Sequence, residues 1–262
     1  MAVKQDRLVQ IGFMETGRRD SWWLPPVLTF AGYTAFIVYT TWAALQNANY
    51  WDGNLLSPFY SPELFGKSPH AIFGPEPSWW PNAIFPYSPA LLILAFPAGF
   101  RMTCYYYRGA YYKAFWADPP GCAVGEPRKT YWGERTFPLI IQNIHRYFMY
   151  AAVAFIFLLS YDIYVSMKFP DGFGISLGTL ILATNVVLIG SYTFGCHSFR
   201  HIAGGVLDRI SRASVRKKVY DCSSCLNRRH MLFAWVSMFT VMFCDIYTRL
   251  CAMGVWTNWR IL

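Results

Sequence analysis

The chain has 262 residues, of which 55% are hydrophobic, 19% are aromatic and only 14% are charged, and its formal net charge is +9. Soluble domains carry about 25% charged residues, so this chain has too few polar side chains to cover a water-facing surface. Its basic residues lie between apolar segments, where the cytoplasmic loops of membrane proteins carry them. The composition therefore predicts an integral membrane protein and argues against a nucleic-acid-binding one.

Five apolar segments approach the length of about 20 residues that a helix needs to cross a bilayer core of about 30 Å. They are residues 27–45, 88–104, 138–166, 174–196 and 231–254. The mixed residues that precede the first segment do not resemble a cleavable signal, which needs an apolar core soon after the first residues. We predict an all-α integral membrane protein, a bundle of five transmembrane helices that forms a single domain over residues 1–262.

The distribution of Lys and Arg predicts the orientation of this bundle. Four lie in the N-terminal tail, five in residues 105–137 and eight in residues 197–230, whereas the opposite face has few. Because basic loops stay inside, the N-terminus and these two loops are predicted to be cytoplasmic. Residues 46–87 are then an outer loop, predicted to form a packed cap. Residues 104–122 are predicted to lie on the membrane surface as a helix until Pro119 and Pro120 stop it.

Most of the histidines and cysteines fall at the predicted cytoplasmic helix ends or in the adjoining loops. They are His145, His197, His201, His230, Cys104, Cys122, Cys196, Cys222 and Cys225. Cytoplasmic cysteines stay reduced, and thiolates and imidazoles brought together are natural ligands for iron or zinc. His197 and His201 are four residues apart and share a face of a helix. The CSSC at 222–225 has the spacing of a chelating pair.

Polar residues inside the predicted helices are the second functional signal, because ionisable groups in the membrane are expensive and usually functional. Asp245 and Arg249 are spaced i, i+4 and are predicted to neutralise each other near the outer face. A polar group at the start of the third segment lies level with the Cys and His residues, where a quinone headgroup would find donors for its carbonyl oxygens. The predicted quinone-binding residues are Arg101, Arg108, Gln142 and Arg146.

Four blocks of sequence carry a resemblance to a known family. They are CYYYRGAYYKAFWADPPGCAV, FPLIIQNIHRYF, GCHSFRHIAGG and LNRRHMLFAW, in this order. They resemble the haem-free, five-helix membrane-anchor subunit of actinobacterial succinate dehydrogenase (respiratory complex II), and the resemblance extends from TGRRDSWW to NWRIL. It implies a multi-pass protein of the bacterial plasma membrane, with a flavoprotein subunit and an iron–sulfur subunit docked on its cytoplasmic face. Electrons from succinate would pass through it to a quinone, expected to be menaquinone.

The resemblance also implies a cofactor and its ligands. Haem-free relatives use a Rieske-type [2Fe–2S] cluster in the membrane part, which needs two Cys on one iron and two His on the other. No haem is expected, because the first two predicted helices contain no histidine. No catalytic residue is expected either, since succinate oxidation belongs to the flavin subunit. The metal ligands implied by the family blocks are Cys104, Cys196, His145, His197 and His201, and the alternatives left open are Cys122, Cys222, Cys225 and His230.

Two other functions fit parts of the sequence. The same fold becomes a haem-binding cytochrome b anchor if His145 and one of the other cytoplasmic histidines bind a single haem. The segment HSFRH matches the HxxxH box of membrane di-iron desaturases and hydroxylases, but those enzymes use several boxes and this chain has five histidines in total. A transporter is disfavoured because the chain lacks inverted repeats and paired broken helices.

Overall fold

The computed structural model describes residues 12–82, 84, 86–128, 136, 137, 139–205, 209 and 214–262. This part of the chain is mostly helical, and its strands form two short antiparallel hairpins. It divides into two compact units. The first contains the described residues up to Ala35 together with Met102–Asn143, and the second contains Phe36–Arg101 and Ile144–Leu262. The all-α class is confirmed, whereas a single domain over the whole chain stays a prediction.

Four helices within the described residues are long and apolar enough to cross a membrane. They are α1 (Leu24–Gln46), α5 (His145–Ser166, continuing a 3-10 helix over Leu139–Ile144), α6 (Leu177–Phe194) and α9 (His230–Ala252). They correspond to the first, third, fourth and fifth predicted segments. At 1.5 Å per residue, the 23 residues of α9 extend about 34 Å, which exceeds the thickness of a bilayer core.

The second predicted segment, residues 88–104, is divided into two short helices. They are α2 (Pro89–Ile93) and α3 (Ala95–Met102), separated at Leu94. Even as one continuous helix, Pro89 to Met102 would rise only about 21 Å, which is less than the bilayer core. The remaining helices are α4 (Tyr105–Ala110), a π-helical turn (Tyr111–Phe115), α7 (His197–Gly204) and α8 (Ser214–Asn227). A count of five membrane spans therefore stays a prediction.

The first unit is built around aromatic rings. Tyr33 of α1 contacts the rings of Tyr107 and Tyr111, at centroid distances of 5.1 and 5.8 Å, and Phe30 contacts Phe115 at 4.9 Å. The surface helix predicted over 104–122 is helical from Tyr105 through the π-helical turn, and it ends at residue 115, before the two prolines.

The outer loop packs against the ends of helices within the second unit, as predicted. Its two short strands, β1 (Trp51–Asp52) and β2 (Leu55–Leu56), form a hairpin, and the rings of Tyr50 and Tyr60 stack at 4.1 Å. A similar hairpin, β3 (Lys168–Phe169) with β4 (Gly172–Phe173), follows α5. The core of the cap consists of the buried residues Ala43, Ala44, Tyr50, Leu56, Phe59, Tyr60, Ala90 and Val241.

A buried ion pair fastens α9 to the end of α1. Arg249 Nε donates to Asp245 Oδ2 over 2.6 Å, as the i, i+4 spacing predicted. The other guanidinium nitrogens donate to the carbonyls of Ala43 and Ala48, over 2.9 and 2.8 Å. These carbonyls belong to the last turn of α1 and the residues after it, where a helix leaves its acceptors without intrahelical partners. Tyr39 donates its hydroxyl to the same Asp245 oxygen over 2.6 Å, and Ser57 Oγ donates to the other oxygen, so the carboxylate accepts three hydrogen bonds.

Candidate functional site

Cys196 lies in the turn between α6 and α7. Its extended backbone, with φ −66° and ψ 141°, ends α6 and caps α7. Helix α8 holds this turn, because Ser223 Oγ donates to the carbonyl of Phe194 and Asn227 Nδ2 donates to the carbonyl of Gly195, each over 2.8 Å. Both acceptors are among the carbonyls that a helix end leaves unpaired. The main chain that enters Cys196 is therefore fixed by a second helix.

The close approach of α8 explains the glycine before Cys196. A Cβ on Gly195 would lie 2.7 Å from the carbonyl oxygen of Ser191 and 3.1 Å from Cβ of Leu226. We expect Gly195→Ala to lower the stability of the chain by about 1–3 kcal/mol, the usual cost of overpacking. The matched control is Gly190→Ala within α6, where the new Cβ meets nothing closer than 3.9 Å, on the ring of Phe194.

Thermal unfolding of the detergent-solubilised protein measures both effects. Gly190→Ala is expected to leave the midpoint unchanged or to raise it, because alanine is a better helix former than glycine. Equal midpoints for the two variants would contradict the role assigned to Gly195.

The thiol of Cys196 contacts the imidazole of His145. The two atoms, Sγ and Nε2, are 3.1 Å apart, and Cys196 is only 2% exposed. His145 is the first residue of α5 and is also hydrogen-bonded to the main chain of Phe100. Histidines that bind metals are usually held in this way by a second hydrogen bond. The structure thus brings together two of the residues that the sequence assigned to a metal.

His230 adds a second imidazole to this part of the second unit. It is the first residue of α9 and is 2% exposed. Its ring stacks on Tyr192 at a centroid distance of 4.9 Å and an interplanar angle of 18°. The second unit therefore holds a buried thiol, a buried imidazole and a half-buried imidazole, near the ends of α6, α9 and α5.

His197 and His201 lie on α7 and are both exposed. Each is close to an arginine: His201 Nδ1 is 2.7 Å from Nη2 of Arg146, and His197 Nδ1 is 3.4 Å from Nη2 of Arg200. Neither has a contact with Cys196 among the hydrogen bonds of the described residues. Their helical spacing is as predicted, and their assignment as metal ligands stays a prediction.

The other cysteines differ in burial. Cys104 is buried at the N-cap of α4, in the first unit. Cys122, Cys222 and Cys225 are exposed. Among the described residues, no three His, Cys, Asp or Glu side chains are arranged as a group ready to hold a metal ion.

The four residues predicted to bind quinone differ in their surroundings. Arg101 is half-buried and donates to the carbonyl of Ala234 and to Ser237 Oγ, over 3.2 and 3.1 Å. Arg108 is buried and donates to the hydroxyl of Tyr112 over 3.1 Å. The two remaining members are half-buried Gln142 in the 3-10 helix and exposed Arg146 at the start of α5.

Sequence reasoning missed Phe100 and Tyr192, whose rings lie beside the imidazoles of His145 and His230. Phe100 stacks on His145 at 4.8 Å and 9°, as Tyr192 does on His230, and the two aromatic rings are 5.2 Å apart. A signal for them exists in the sequence. An aromatic residue precedes a cysteine by four positions twice, in FRMTC at 100–104 and in YTFGC at 192–196.

Comparison with known proteins identifies the family. The sequence profile described as actinobacterial succinate dehydrogenase subunit SdhC matches residues 24–254. The chain belongs to this family. A solved structure, the Sdh1 complex of Mycobacterium smegmatis in the apo form, contains a chain with 42% sequence identity and a TM-score of 0.88, and the match covers 100% of this chain and 99% of that one. A search of curated proteins gave no match.

Membership in the SdhC family confirms the resemblance inferred from the four sequence blocks. An SdhC chain is a membrane subunit of an oxidoreductase complex, and the succinate-oxidising chemistry takes place on its partner subunits. The four long apolar helices fit a multi-pass protein of the bacterial plasma membrane.

Proposed function

We propose that this chain is an electron-transfer anchor that reacts with quinone. It docks the flavoprotein and iron–sulfur subunits of succinate dehydrogenase on the cytoplasmic side of the membrane. Electrons taken from succinate pass through it to a quinone, expected to be menaquinone. The SdhC family match supports the role of a subunit. The contact between His145 and Cys196 is the observation that supports an electron relay within this chain.

The residue types at this site are those of a Rieske-type [2Fe–2S] cluster, which takes two thiolates and two imidazoles. Cys196, His145 and His230 would supply one thiolate and both imidazoles. The family resemblance implies Cys104 as the second thiolate, and this assignment stays a prediction. When bound, such a cluster accepts and donates single electrons. His230 is favoured over the exposed pair on α7 because ligands of a cluster inside a membrane must be shielded from water.

A simple packing role explains these residues less well. A lone buried Cys or His is often a satisfied part of a protein core, and an S–H···N hydrogen bond would account for the distance between Cys196 and His145. It would not account for His230, a second imidazole that is linked to the first through the rings of Tyr192 and Phe100. A buried imidazole is costly unless its ring nitrogens have partners, and a metal would be one such partner.

The quinone is proposed to bind near the starts and ends of the same helices. The predicted contacts are Arg101, Arg108, Gln142 and Arg146, whose side chains donate hydrogen bonds to carbonyl oxygens. Arg101 already uses two nitrogens within the second unit.

Spectroscopy of the purified complex tests this proposal. Low-temperature EPR and optical spectra are recorded after reduction with dithionite and compared with those of the detached soluble subunits. An additional Rieske-type [2Fe–2S] signal that is lost on detachment is the expected result. A reduced-haem α band would instead assign the chain to the cytochrome b anchors. The absence of both signals would leave an anchor whose quinone is reduced directly by the iron–sulfur subunit.

A further inference from the structure

The imidazoles of His145 and His230 have the same kind of neighbour. The ring of Phe100 lies parallel to the ring of His145, and the ring of Tyr192 lies nearly parallel to that of His230. Phe100 and Tyr192 are themselves buried and touch each other at a centroid distance of 5.2 Å and an angle of 59°. A continuous row of four rings therefore connects the start of α5 with the start of α9.

Arg101 fixes one end of this aromatic pair. Its guanidinium carbon lies 5.1 Å from the centre of the Tyr192 ring, a distance typical of a cation–π contact. The guanidinium is itself held by the carbonyl of Ala234 and the hydroxyl of Ser237 on α9. The Tyr192 ring is therefore enclosed by the imidazole of His230, the guanidinium and the ring of Phe100.

Stacking restricts the direction in which an imidazole nitrogen can bind a metal. The nitrogen lone pair lies in the plane of the ring, so fixing that plane fixes the directions in which the nitrogen can bind. Groups that orient ligands without touching the metal are known to govern its affinity and its redox properties. Parallel stacking on a buried ring supplies such an orientation to both His145 and His230.

We infer that Phe100 and Tyr192 form an aromatic clamp that sets the planes and the spacing of the His145 and His230 imidazoles. This inference rests on the proposed function and assigns both aromatic residues as positioning residues for the electron relay. Arg101 acts through the clamp by holding Tyr192 against His230. The role needs the flat ring of Tyr192 and not its hydroxyl.

The test uses the purified three-subunit complex carrying Tyr192→Leu or Tyr192→Phe. The EPR g values and the nitrogen hyperfine couplings of the cluster report the orientation of the imidazoles, and quinone reduction is measured in parallel. Tyr192→Leu is expected to change the couplings and to lower quinone reduction about tenfold, the effect of losing a ligand-orienting group. Tyr192→Phe is expected to retain the EPR spectrum and the rate of quinone reduction of the parent complex.

Trp256→Leu is the matched control, because this aromatic residue is exposed and contacts Tyr247 at 5.8 Å, away from the clamp. A parent-like spectrum for Tyr192→Leu would overturn the inference, as would a Tyr192→Phe variant as defective as Tyr192→Leu. If Tyr192→Leu does not assemble, Phe100→Leu is measured against the same criteria. A parent complex without any Rieske-type signal would refute the proposed function itself, which separates the two failures.

Discussion

Replacing His145 with alanine is expected to abolish the Rieske-type signal and to lower quinone reduction by more than about 100-fold. Losing a ligand should exceed the 10–100-fold effect of losing one of its orienting partners. Cys196 would then be left without the imidazole that lies 3.1 Å from its sulfur. Oxidation of succinate with a soluble dye as acceptor should continue, because that chemistry belongs to the partner subunits. Both activities and the EPR spectrum are measured on the same preparation.

Two further histidine variants serve as controls for this result. His201→Ala removes an exposed imidazole that lies beside Arg146, and we expect it to retain the cluster signal. His70→Ala, on the outer loop where Nε2 lies 3.1 Å from the carbonyl of Gly53, controls for the loss of a histidine. A cluster lost in His201→Ala but kept in His145→Ala would refute the ligand set favoured by the geometry.

Arg249→Met is expected to cause the largest loss of stability. It leaves the buried carboxylate of Asp245 without its cation, and breaking a buried pair in this way costs about 3–5 kcal/mol. It also removes the donors to the carbonyls of Ala43 and Ala48 at the end of α1. The measurement is the thermal midpoint of the purified complex in detergent, together with the yield of assembled complex.

Arg260→Met is the matched control. Arg260 pairs with Asp171 over 2.5 Å, but this pair lies at the surface, with side-chain exposures of 32% and 72%, and the guanidinium lowers the pKa of Asp171 below its usual value. Exposed pairs contribute little to stability because water and salt screen them, so we expect almost no change in the midpoint. Similar losses of stability in the two variants would show that the buried pair on α9 contributes no more to stability than the surface pair does.

The long helices were predictable because each is a single apolar run of sufficient length. The segment 88–104 was not, since its apolar content is typical of a span while its prolines favour separate short helices. Hydropathy measures composition over a window and does not register where a helix is interrupted. The ion pair of Asp245 and Arg249 was predictable from spacing alone, because residues four apart in a helix are neighbours.

The site was predictable only in part. His145 and Cys196 were identified from residue type and from their place at helix ends, and the structure brings them into contact. His230 remained an alternative because nothing in a one-dimensional pattern distinguishes a buried histidine from the exposed pair on α7. Burial of His230 depends on the packing of α9 against α6, which joins residues far apart in the chain.

The hydrogen bonds from α8 to the turn at Cys196 have a consequence for biogenesis. The turn is fixed by Ser223 and Asn227, and the second imidazole, His230, enters only with α9. A nascent chain that has inserted α5 and α6 therefore contains His145 and Cys196 but neither these hydrogen bonds nor His230. With the proposed ligand set, delivery of the cluster must wait until the ribosome has released α9, so maturation is expected to be post-translational.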